Sequence, residues 1–194
     1  MIRKLGAFLI FITLFSFTDK KGKTSEKTKP INYNTTVTNT ELLILEKNFI
    51  GFKEALAFKE SQGRYTVVNT LGYLGKYQFG KGTLRRFKIY DTQKFLKNPE
   101  LQEKAFTALC KVNKWILRRD ISRFVGKRIK GISITESGIL AAAHLAGAGN
   151  VKKFLRSYGN FEFKDSYGTS IESYLKKFAG YDVSHIKADK KATV

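Results

Sequence analysis

The stretch FKESQGRYTVVNTLGYLGKYQF, Phe58 to Phe79, decides how this chain is read: an apolar helical run closes on a glutamate and passes into glycines, amides and tyrosines. A plain surface loop has no need of Tyr65, Tyr73, Tyr77 and Phe79 in such close order. A buried strand pair would have to find partners for Glu60, Asn69 and Gln78. Wound at about 100° per residue, Leu45, Phe49, Phe52, Leu56 and Glu60 fall within about 80° of one another. Glu60 therefore shares the apolar stripe, at the C-terminal end of the helix. Lys53 lies near the same stripe, with a stem able to snorkel outward. Residues 61–82, rich in glycine and side-chain amides, read as a loop or short hairpin.

Outward from this stretch, 194 residues with 42% hydrophobic content and two prolines fit one domain whose core needs no covalent staple. The single cysteine, Cys110, excludes an internal disulfide framework and a cysteine-based metal cluster. Within a helix it reads as a packing residue. The net charge of +20, from 36 Lys and Arg against 16 Asp and Glu, produces a field that attracts polyanions. Nucleic acid, anionic lipid and an acidic wall polymer are all compatible with it.

Residues 1–18 read as a signal peptide or N-terminal anchor: MIRK is a basic start, and Leu5 to Phe17 an apolar run of 13 residues, short for a bilayer span. No plain A-x-A cleavage site follows, which leaves removal and retention at the membrane both open. No cysteine follows the run, which argues against lipid modification. Loss of Arg3 and Lys4 would take the charge from +20 to +18. Residues 19–40, rich in Lys, Thr and Asn, read as a flexible polar tether.

From about Glu41 the pattern is mainly helical. Asn98-Pro99-Glu100 is a helix start, with a capping amide, a first-turn proline and an acid at the positive end. Leu101, Ala105, Ala108, Val112, Trp115 and Ile116 then form one apolar face, that of the central core helix. A further helix begins around Thr135, runs through GILAAAHLAG and ends near Gly147, and GNVKKFLRSYG makes a short helix after it. Thr169-Ser170-Ile171-Glu172 reads as a capping box that opens IESYLKKF. Residues 41–182 thus form one mainly α domain with a small loop or hairpin lobe, and residues 183–194 a frayed basic tail.

A glutamate on an apolar stripe, facing a loop rich in glycine and tyrosine, has a specific chemical use. Desolvation favours the neutral acid, which can protonate the oxygen of a glycosidic bond as it breaks. Aromatic faces suit sugar rings, and Asn and Gln suit hydroxyl or acetamido groups. On local chemistry alone Asn69 is a cleft residue of this kind. A glutamate that ends a helix is otherwise usually just solvated.

Order along the chain adds to this. Glu60-Ser61, then Gly75-Lys76-Tyr77-Gln78-Phe79, then Ala142-Ala143-His144-Leu145-Ala146-Gly147-Ala148-Gly149-Asn150-Val151, and finally Tyr174-Leu175-Lys176-Lys177 stand in sequence. The series resembles the lytic transglycosylase (SLT-type) family with its goose-type lysozyme-like fold, over roughly residues 49–181. The resemblance implies a lysozyme-like single domain whose lobe lines a cleft, and cleavage of the β-1,4 bond between N-acetylmuramic acid and N-acetylglucosamine in peptidoglycan. By residue match it makes Glu60 the general acid and then the general base. It places Ser61, Gln78 and Tyr174 around the acid or the sugar, and Tyr77 and Phe79 on the matching wall in place of leucine and methionine. His144-Leu145 replaces the family's Tyr-Asn, so one amide is lost. His144 stands between two readings, a substitute donor in the cleft and a packed helix histidine.

Two-carboxylate glycosidases set their acids about 5–5.5 Å apart for retention and about 6.5–9.5 Å for inversion. After Glu60 the next acid is Asp91, and Glu54 faces about 120° away on the same helix. Asp91, Glu136 or Asp165 could fold into the site. The simpler expectation is a single carboxylate, with the substrate's acetamido group stabilising the cationic centre and a 1,6-anhydro product, as the resemblance implies. No metal or organic cofactor is needed. The expected partner is the peptidoglycan glycan strand, met by a monomer exported to the periplasm, the cell envelope or the medium, with no nucleic acid involved. Other readings stand beside this one: a muramidase using water, and a non-catalytic wall-binding domain that His144-Leu145 would favour. A basic nucleic-acid-binding protein is weakened by the export-type start and the absence of a nucleic-acid motif.

Overall fold

The longest element is built around the helix start at Asn98, whose side chain accepts from the Leu101 amide at 3.0 Å, with Pro99 in the first turn. In the computed structural model, which describes residues 47–194, this helix is α4, Pro99–Phe124. It follows α1 (Phe49–Ser61), α2 (Lys81–Arg86) and α3 (Thr92–Leu96) and precedes α5 (Glu136–Arg156) and α6 (Ile171–Lys177). A two-residue strand pair, β1 (Arg128–Ile129) with β2 (Ile132–Ser133), joins α4 to α5. Its tight antiparallel turn uses Lys130 and Gly131, both at positive φ, as a two-residue hairpin demands. Leu45, the apolar segment at 1–18 and the tether at 19–40 lie outside the described residues. The fold is mainly α.

Helix α4 buries Ala105, Phe106, Ala108, Val112, Leu117 and Phe124 and forms the centre of the core. Cys110 is buried on it, and burial pushes its thiol up to about 12, so it is a packing residue. Trp115, expected on the apolar face, is half-buried, with Arg118 4.2 Å and Lys190 5.0 Å from its ring. Helix α5 packs on both α4 and α6. Its Ala141, Ala142 and Ala143 are buried, and a Cβ at Gly138 would come within 2.8 Å of the Leu175 carbonyl oxygen. Small residues here let α5 and α6 approach backbone to backbone. At Gly147 the backbone leaves helical geometry (φ 77°, ψ 148°), breaking α5 where the sequence predicts a boundary.

Two expectations change. The N-cap of α6 is Ser170, which accepts from the Ser173 amide at 3.2 Å, rather than Thr169. The tail is not frayed: Val183 and Ile186 are buried, and the Asp189 amide donates to the Lys111 carbonyl at 3.1 Å. These two apolar side chains, six and three positions before Asp189, give the basic segment something to bury. Among the described residues no helix is long and apolar enough to cross a membrane.

Candidate active site

Helix α1 starts at Asn48, whose side chain accepts from the Gly51 amide at 2.9 Å, and buries Phe52, Leu56 and Ala57. That places Glu60 in its last turn, half-buried. The chain leaves the helix through Gln62 in the left-handed region (φ 57°), with Gly63 returning a bond to the Ala57 carbonyl at 3.1 Å. A carboxylate in the last turn faces the negative end of the helix dipole, so nothing in the helix itself favours an acid there. What does engage it is Tyr174 on α6, whose hydroxyl donates to Glu60 Oε1 at 2.5 Å from 114 positions away. The phenol is only 3% exposed. Burial first, and then the Glu60 carboxylate, raise its pKa well above the ordinary tyrosine value, so it keeps its proton and remains a donor.

Glu60 opens onto a cleft of about 320 Å³. One wall is the lobe, with Asn69, Leu71, Tyr73 and Gln78; the other is the segment Phe163 to Tyr167; His144 and Leu145 lie between them. The two walls meet where Thr70 Oγ1 and the Tyr167 hydroxyl are 2.8 Å apart. Asp165 lies in the same cleft as Glu60. Its Oδ1 accepts from the amides of Tyr167 (2.9 Å) and Thr169 (2.7 Å), an Asx turn that leaves Oδ2 for another partner. A second trough of about 480 Å³ shares Tyr73, Gln78, His144 and Leu145 with the first and continues between α2 and α4. Among the described residues no group of three or more His, Cys, Asp and Glu could hold a metal ion.

Of the residues singled out in the sequence, the structure brings Glu60, Asn69, Gln78 and His144 to the cleft surface, with Tyr174 behind Glu60. Asn69 Oδ1 is taken by the amides of Leu71 (2.9 Å) and Tyr73 (3.0 Å), so Nδ2 is the end open to a ligand. Gln78 sits at φ 50° and donates to the Gly75 carbonyl at 2.8 Å, leaving its oxygen. His144 is a packed helix histidine that also borders the cleft, with its Nε2–H spent on a backbone carbonyl and not offered to a ligand. Its ring packs 6.0 Å from Phe79 and 5.7 Å from Phe106, and its Nε2 meets the Tyr77 carbonyl at 2.8 Å, yet it also lines both troughs. A carbonyl only accepts, so Nε2 carries the proton, and Nδ1 is buried without a partner among the described residues.

Three positions differ from expectation. Ser61 is buried and donates to the Lys76 carbonyl at 2.8 Å, so it positions the lobe and does not line the cleft. Tyr77 is fully buried, stacked 4.1 Å from Phe106 with its hydroxyl on Glu103. Phe79 is 1% exposed, a core residue whose edge floors the second trough. The aromatic that does reach the cleft from this stretch is Tyr73, 43% exposed.

The lobe is held from below by a charged knot. Lys76 Nζ bonds Glu54 (2.7 Å), Glu103 (2.9 Å) and the Tyr65 hydroxyl (3.2 Å), and Lys53 bonds Glu103 at 2.5 Å. Burial works against the Glu103 charge, but the bonds from Lys53, Lys76, Tyr77 and Tyr65 outweigh it and lower its carboxyl to about 2. Beside the knot, the fully buried Gln102 accepts from the Lys76 amide (2.8 Å) and donates to the carbonyls of Tyr65 and Phe95 (3.0 Å each). Gly75 must be glycine here: its φ is +74°, and a Cβ would fall 2.2 Å from Gln102 Oε1. The chemical repertoire of the site is thus a carboxylate with a fixed phenol donor, a second carboxylate, two side-chain amides and an aromatic wall. No family model matches the chain, and no curated protein or solved structure does either.

Proposed function

We propose that this chain cleaves the β-1,4 bond between N-acetylmuramic acid and N-acetylglucosamine of peptidoglycan, with Glu60 as general acid and then general base. In this reading the mainly α fold is a lysozyme-like domain of the goose-type, lytic transglycosylase kind, exported to the cell envelope. The observation that supports it most is the 2.5 Å bond between Glu60 and Tyr174. These residues come from the first and last of four sequence motifs, and they meet at the edge of a cleft of about 320 Å³.

Protonated Glu60 gives its proton to the bridging oxygen as the C1–O bond breaks. The acetamido oxygen of the muramoyl residue shares the positive charge at C1, and the Glu60 carboxylate then takes the proton of the 6-hydroxyl as O6 bonds C1. The step consumes no water and leaves Glu60 protonated again. Tyr174 holds Oε1, so the other oxygen faces the reacting atoms.

A second reading, hydrolysis, is favoured by one specific observation: Asp165 shares the cleft, with one oxygen fixed by two amides and the other free of them. That oxygen could hold and deprotonate a water. Mass spectrometry of muropeptides released from purified peptidoglycan separates the readings. Anhydro-muramoyl ends are the expected product. Ordinary reducing ends that disappear in Asp165→Asn would replace ring closure by hydrolysis, and release of neither, with the wall still pelleted by the protein, would leave a binding domain.

A further inference from the structure

The described core holds seven buried polar side chains: Ser61, Lys76, Gln78, Gln102, Asn113, Asp120 and Ser137. Six of them have clear partners. Ser61 meets the Lys76 carbonyl, Lys76 meets Glu54, Gln78 the Gly75 carbonyl and Gln102 the Lys76 amide. Asp120 takes two bonds from Arg156, and Ser137 Oγ accepts from the Tyr181 amide. Asn113 on α4 is 6% exposed and has no hydrogen-bond partner among the described residues. It lines the second trough, where Leu109, Val112, Ile116 and Leu145 surround it with apolar surface.

Among the described residues the one fully enclosed polar side-chain atom without a partner is His144 Nδ1, so the unpaired amide of Asn113 opens onto the trough and is available to a ligand there. The chemistry that repays an amide here is a ligand offering one N–H and one C=O side by side. Asn113 can accept from the first and donate to the second, while the apolar rim receives a methyl group. An N-acetyl group on a sugar has that shape, and the trough is continuous with the Glu60 cleft through Tyr73, Gln78, His144 and Leu145. We propose that Asn113 binds the acetamido group of a sugar seated in the second trough and so sets the preference for N-acetylated glycan. This rests on the glycan reading of the cleft and adds to it the residue that reads the substituent.

The test uses the full chain carrying Glu60→Gln, which binds without turnover, titrated with tri-N-acetylchitotriose and with cellotriose by isothermal calorimetry and NMR. Adding Asn113→Leu should weaken chitotriose binding about tenfold, roughly 1.4 kcal/mol, and leave cellotriose binding as weak as before. The melting temperature should hold, because Asn113 has no hydrogen-bond partner among the described residues to lose. A fall in melting temperature would reveal an internal partner and overturn the proposal, and so would undiminished chitotriose binding. Acetyl-alanine amide is the third ligand: an Asn113-dependent signal from it, without one from chitotriose, would assign a peptide amide and also overturn the sugar. Absence of chitotriose binding by Glu60→Gln itself would sink the glycan reading of the whole cleft, an outcome distinct from failure of Asn113 alone.

Discussion

Glu60 and Tyr174 form a unit in which the two side chains have different tasks. The carboxyl faces the cleft, and the phenol, kept protonated by burial and by its partner's charge, fixes one oxygen. Tyr174→Phe removes that bond and little else, since the ring still packs 5.0 Å from Phe178. Loss of a hydrogen bond to a charged group is worth about 1.5–3 kcal/mol. We expect kcat on peptidoglycan to fall roughly ten- to a hundredfold with KM nearly unchanged. A rise in KM at constant kcat would instead place Tyr174 on the substrate. Glu60 was legible in the sequence because helical periodicity set it on the stripe of Phe52 and Leu56. Tyr77 was not, because GKYQF turns through Gln78 at positive φ, and a linear motif does not say which side chains point inward. Asp165 was named only as a distant acid, since the position of an Asx turn depends on how α5 and α6 pack.

At the scale of elements, the lobe from Gln62 to Gly80 has isolated bridges, Val68 with Leu74 and Leu74 with Phe79, in place of a regular sheet. Its shape therefore depends on α4, through the Glu103 knot and through Gln102. Gln102→Leu would leave the Lys76 amide and the Tyr65 and Phe95 carbonyls short of partners in the interior. The expected loss is about 2–3 kcal/mol in urea denaturation, with faster amide exchange at Lys76. A change below about 0.5 kcal/mol would mean that the lobe is held by packing alone. The signal for this element lay in the sequence unread. Gln102, Phe106, Leu109 and Asn113 fall within about 60° of one another on α4, so two amides share a stripe with apolar residues. The helix starts, the break at Gly147 and the core role of α4 were legible because caps and small residues act locally. The β1–β2 hairpin went unforeseen: two residues per strand are too few to show alternation.

For the molecule as a whole, the net charge of +20 over 194 residues gives a field that attracts polyanions. Glu103 has its carboxyl lowered from 4.5 to about 2, so its bonds stabilise the fold fully above pH 4.5. That contribution, on the order of 2–3 kcal/mol, is lost as the pH falls through about 2. Urea midpoints measured from pH 5 down to 2.5 should fall for the wild type. Glu103→Gln should be less stable at pH 5 and much flatter across the range. Parallel curves would assign the acid sensitivity to other carboxylates. The tail belongs to this scale too: its basic composition suggested fraying, but Val183 and Ile186 bind it into the core. The central claim concerns one carboxyl group, and clearing of purified peptidoglycan by wild type and by Glu60→Gln, each shown folded by its thermal melt, tests it most directly. Glu60→Gln should slow clearing about 10²–10⁴-fold, the range of general acid–base catalysis; equal clearing by the two proteins would contradict a catalytic role for Glu60.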